Sequence, residues 1–108
     1  MPDIHVDAKL GADLASRDIL ASTFGLAADA PVSVTTGCGQ QIQLAMTSLE
    51  PSAVTCRPCR VYAHREHLRQ AELVELLARM PGSTVSPGQA AASAAHRRTL
   101  AARFAATP

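Results

Sequence analysis

Four stretches of the chain carry a regular hydrophobic pattern, and each predicts an element. Leu10, Leu14, Leu20, Ala21 and Phe24 recur at helical spacing after Asp7, a residue suited to a helix N-cap. Gly25 follows as a natural stop, so the pattern predicts a helix over residues 8–24. A loop over 27–31 comes next. Two short runs then alternate with period two: Val32 and Val34 with Ser33 and Thr35, and Ile42, Leu44 and Met46 with Gln41, Gln43 and Ala45. Successive side chains of a strand point to opposite faces, so this alternation reads as half-buried strands. Gly37-Cys38-Gly39 separates them, which predicts a β-hairpin with a cysteine at its tip. Val54-Thr55 reads as a third short strand leading into Cys56.

The remaining two patterns are helical. Residues 60–80 contain no Gly or Pro, and Tyr62, Leu73, Leu76, Leu77 and Met80 fall on one face before Pro81 ends the run. Ser86-Pro87-Gly88-Gln89 has the form of a capping box with proline at the first helical position. It opens a last, alanine-rich helix over 87–105 with Leu100 and Phe104 on one face. The expected architecture is α+β: one small domain over 1–108, with a hairpin region at 32–59 flanked by an N-terminal helix and two C-terminal helices.

Composition changes this picture in one respect. Only 3% of residues are aromatic, so the core must be built from Ala, Val and Leu. Such a core buries less area per residue than one anchored by aromatics, which leaves room for a metal to contribute stability. Three cysteines suit a metal site better than a disulfide framework. No apolar run reaches the roughly 18 residues a membrane span needs. The start Met1–Asp7 lacks a basic n-region and an apolar h-region, which predicts no signal peptide and a cytoplasmic setting where thiols stay reduced.

The chemistry concentrates in Cys56-Arg57-Pro58-Cys59. Two cysteines at this spacing can direct both thiolates at one ion. Cys38 adds a third sulfur from a glycine turn, with seventeen residues between it and Cys56. Structural zinc is tetrahedral and closed, so a fourth ligand is required. His64, separated from Cys59 by four residues in the manner of a zinc knuckle, is the first candidate. The fourth knuckle position is Arg69, which cannot bind zinc, so Cys38 must complete the set. His67 follows one helical turn later, and His5, far off in sequence, ranks third.

The order Thr36-Gly37-Cys38-Gly39, Met46-Thr47 and Val54-Thr55-Cys56-x-x-Cys59 resembles short zinc-finger or zinc-ribbon-like proteins common in actinobacteria and their phages. The resemblance covers residues 32–62 and implies a zinc ribbon. Many of those proteins place a histidine just before the first Cys-Gly, where this chain has Val32–Thr36.

Charge suggests what the module touches. Residues 1–55 carry a net −4, and residues 56–108 a net +5, with eight arginines against three glutamates. Such asymmetry points to an acidic partner for the second half. Arg57, Arg60 and Arg65, with Arg69, cluster beside the metal motif, and Arg97, Arg98 and Arg103 lie on the last helix with no acidic residue after Glu75. The function expected is a zinc-binding interaction module contacting DNA or a transcription complex through this basic half. The alternative is an assembly protein docking on a larger protein through its alanine-rich helices. No catalytic set emerges: Ser and Thr lack an acid–base partner, and His64 and Glu66, two apart on a helix, point in different directions.

Overall fold

The computed structural model describes residues 2–11 and 33–106. The expected N-terminal helix lies beyond residue 11 outside the described residues. Its first four positions, 8–11, form a turn in which Leu10 and Gly11 take positive φ of 50° and 87°. Asp7 does cap this segment, but it caps a turn: its carboxylate accepts from the Lys9 and Gly11 amides at 3.1 and 3.3 Å.

The hairpin forms between β1 (Ser33–Thr35) and β2 (Gln41–Gln43), antiparallel, with Val34 opposite Ile42. The alternation through Met46 predicts a longer second strand. Instead Leu44–Met46 closes into a 3-10 turn, which the Thr47 amide and hydroxyl cap by donating to the Leu44 carbonyl at 3.0 and 2.7 Å. That turn brings the chain alongside the N-terminal segment, whose backbone supplies the missing ladder. The His5 amide donates to the Met46 carbonyl, and the Ser48 amide donates to the His5 carbonyl. On its other side the Gly37 amide bonds the Val6 carbonyl, and the Ala8 amide bonds the Thr35 carbonyl. Val54-Thr55 is no strand. It follows a short 3-10 turn at Pro51–Ala53, and the amides of Thr55 and Cys56 both converge on the Ile4 carbonyl. Residues 4–8 are therefore a central thread, bonded to the hairpin, to 46–48 and to 55–56.

Helix α1 runs Arg57–Ala78, beginning three residues before the expected start, and helix α2 runs Pro87–Ala105 as expected. The capping box of α2 is complete, with Ser86 and Gln89 bonding each other's amides at 3.1 Å. The helices pack antiparallel, since the start of α1 meets the end of α2 through Arg60 and Ala106. The buried face of α1 is Cys59, Arg60, Ala63, His67 and Ala71. It meets Ala90, Ala94, Ala101 and Phe104 of α2. Small residues allow that close approach.

This corrects the expected apolar face of α1. Leu73, Leu76, Leu77 and Met80 are exposed, Leu76 and Met80 by more than half. The rotation of the helix is set at its first turn. Cys59 must point into the core with Val6, Val54, Cys56 and Phe104, and positions 63, 67 and 71 follow it inward at four-residue steps. The leucines lie on the other side. No described helix is long and apolar enough to cross a membrane.

Candidate metal centre

Three segments deliver four donors to one point. The turn after β1 carries Cys38. The N-cap of α1 is Cys56, with extended φ and ψ of −68° and 114°, and Cys59 lies in the first turn after Pro58. Proline is tolerated there because a helix's first amides have no intrahelical acceptor. The central thread contributes His5. The imidazole nitrogen and three sulfurs of His5, Cys38, Cys56 and Cys59 all lie within 4.8 Å of one another.

The spacing fits a shared ion. The Nδ1 of His5 stands 3.5 Å from both the Cys38 and Cys59 sulfurs. Tetrahedral zinc with Zn–N of about 2.05 Å and Zn–S of about 2.3 Å places N and S roughly 3.5 Å apart. A single ring proton serves two sulfurs at that distance poorly, whereas one cation serves both. Three thiols and an imidazole form a soft donor set suited to a thiophilic divalent ion.

The surroundings prepare the sulfurs unequally. Thr36 is buried, and its hydroxyl accepts from the Gln40 amide at 3.0 Å, which frees its proton for the Cys38 sulfur at 3.1 Å. Burial pushes the Cys38 thiol up, but hydrogen bonds from Thr36, Cys59, His5 and the Gln40 backbone outweigh it and bring the thiol down to about 7. Burial, with the neighbouring Cys59 and Cys38 sulfurs, pushes Cys56 up to about 12 despite a backbone hydrogen bond at Cys59. Negative sulfurs this close resist joint ionisation unless a cation balances them.

His64 and His67 do not join the cluster. Both turn toward α2. His64 Nδ1 donates to the Ala101 carbonyl at 2.8 Å. His67 is buried, stacks on Phe104 with ring centroids 5.7 Å apart, and accepts from Arg97 at Nδ1. Burial, then the charges of Arg97 and His96, hold its pKa below the usual histidine range. The structure thus places His5, and not the expected His64, beside the three sulfurs. The helix that carries Cys59 inward carries His64 toward α2, one turn beyond the sulfurs. Long sequence separation placed His5 third among the candidates, yet Ile4-His5-Val6-Asp7 alternates as a strand-like thread would.

The six arginines expected at a partner surface divide sharply. Arg60 is buried and corrects its own assignment. Its guanidinium donates to the carbonyls of Pro51, Val54, Arg103 and Ala106 and lies over the Phe104 ring. Arg98 and Arg103 do have acidic neighbours, because the fold pairs them with Glu75 and Glu50. Arg97 contacts His67. Arg57 and Arg65 stay exposed.

No family model, curated protein or solved structure matches the chain.

Proposed function

We propose that the chain is a small zinc-binding module in which one structural Zn2+ joins the N-terminal thread, the hairpin turn and the start of α1. The observation that carries this reading is the convergence of His5, Cys38, Cys56 and Cys59 within 4.8 Å. A complete set of four protein ligands leaves no open coordination position for substrate or water, so the module is read as non-catalytic. The resemblance to short actinobacterial and phage zinc-finger-like proteins belongs to this reading and rests on the same cysteines. Elemental analysis of purified, reduced protein is the test, with about one zinc per chain expected. A folded, reduced sample without zinc refutes it.

For the partner, the arginine pattern favours a protein over DNA. Arg60 is buried, and Arg98 and Arg103 are held by glutamates, which breaks up a continuous phosphate-contacting face. The alanines of α2 that suggested docking are used against α1, while Leu73, Leu76, Leu77 and Met80 remain exposed in one stripe. Apolar docking keeps its affinity as salt rises, whereas nucleic-acid binding weakens steeply by counterion release. A steep loss of partner affinity with salt favours the DNA reading.

A further inference from the structure

Two arginines that hold no bonded partner among the described residues, Arg57 and Arg65, meet at one cavity. It measures about 620 Å³ and is lined by Arg57, Arg60, Val61, His64, Arg65 and the end of α2 from Phe104 to Ala106. Among the described residues neither Arg57 nor Arg65 has a hydrogen-bond or ion-pair partner, whereas Arg69, Arg98 and Arg103 each hold a glutamate. Arg60 adds a charge from within. It is buried, and its guanidinium meets four carbonyl dipoles but no carboxylate. Among the described residues no acidic side chain lines the cavity. Two exposed guanidinium groups, Arg57 and Arg65, thus flank one concave space with the buried Arg60 charge in its wall, and walls of low dielectric concentrate their field there.

The other lining is apolar. Val61, half-exposed on the turn between Arg57 and Arg65, provides it, with Ala105 and Ala106 at the edge and the buried Phe104 behind them. His64 is fixed in the wall by its bond to the Ala101 carbonyl. Arg57 and Arg65 are eight residues apart, about 12 Å along the helix axis, and flank this surface with side chains long enough to converge on a group between them. A few charged groups around an apolar floor, at a helix–helix junction and in this size range, is the usual form of a small-molecule site.

We infer that this cavity binds a small organic anion, a carboxylate or phosphate head on an apolar body. Guanidinium forks bind either head in bidentate fashion, and the surface of Val61, Ala105 and Ala106 takes the body. The site lies outside the four-ligand cluster and does not depend on which ion that cluster holds.

The test uses 8-anilinonaphthalene-1-sulfonate, which joins an anionic group to an aromatic body. The zinc-loaded full chain is titrated by fluorescence, and the bound position is mapped by amide chemical shifts. One site is expected, with shifts at Arg57–Arg65 and Phe104–Ala106. The Arg57→Gln/Arg65→Gln variant should weaken binding on the order of tenfold, and added salt should do the same in the parent. Leu73→Gln/Leu77→Gln should leave it unchanged. Should the double arginine variant fail to fold, Arg65→Gln alone, exposed in mid-helix, carries the same comparison. No binding, binding indifferent to the arginines, or shifts confined to Leu73–Met80 overturns the proposal.

Discussion

His5→Ala separates the tertiary assignment of the fourth ligand from the one that spacing suggests. His5 Nδ1 stands 3.5 Å from two of the three sulfurs, and the described chain offers no other histidine within the cluster. Structural zinc in small domains contributes about 10–16 kcal/mol of binding free energy, so one of four ligands is worth roughly 3–4 kcal/mol. That corresponds to a loss of about 10²–10³-fold in zinc affinity. His64→Ala removes instead one hydrogen bond, to the Ala101 carbonyl, worth about 1 kcal/mol of stability and nothing in metal affinity. The assay is competition of each variant and the parent against a chromophoric chelator, followed by thermal unfolding with and without chelator. His5→Ala should give up its zinc at far lower chelator concentration, and its unfolding should become insensitive to chelator. His64→Ala should unfold slightly earlier with unchanged zinc retention. Equal retention by His5→Ala and the parent, or preferential loss in His64→Ala, refutes the geometry.

Zinc binding should release protons, and more of them as pH falls from 8 to 6. Cys56, pushed up to about 12, gives up a proton to the ion at every pH in this range, whereas Cys38, near 7, holds one only toward the acid end. The release should therefore rise by about one, and affinity should fall more steeply below pH 7. A release that is flat with pH, measured by zinc titration in weakly buffered solution, contradicts the thiol assignments. Arg60→Lys should cost on the order of 3 kcal/mol in urea unfolding, because an ammonium cannot reach four carbonyls in two directions and leaves some buried without a donor. A change below about 0.5 kcal/mol contradicts a structural Arg60. Gly37→Ala places a Cβ 2.6–2.9 Å from the Tyr62 side chain, whose hydroxyl is held by the Ala8 carbonyl at 2.6 Å. It should destabilise by about 1–3 kcal/mol and loosen zinc by displacing Cys38. Parent-like stability and zinc retention show that the ring can yield.

Local rules were sufficient for several features. The box at Ser86–Gln89 specified the start of α2, because its partners are three residues apart and need no tertiary help. Period-two alternation and the Gly37-Cys38-Gly39 turn specified the hairpin, since pleat and turn chemistry are local. The Cys-x-x-Cys spacing, with Cys38 on its turn, named three of the four donors. Three decisions belonged to the tertiary structure. His5 reaches the sulfurs because residues 4–8 thread between the hairpin and 46–48, a pairing across dozens of residues that no local pattern encodes. The leucines of α1 face outward because Cys59 sets the helix rotation, so the site overrides the apolar stripe. Basic residues that look alike in sequence became a buried clamp at Arg60, paired surface at Arg98 and Arg103, and exposed charge at Arg57 and Arg65. A guanidinium's role depends on which carbonyl or carboxylate lies within its reach, and only the packing of α1 against α2 supplies that neighbour.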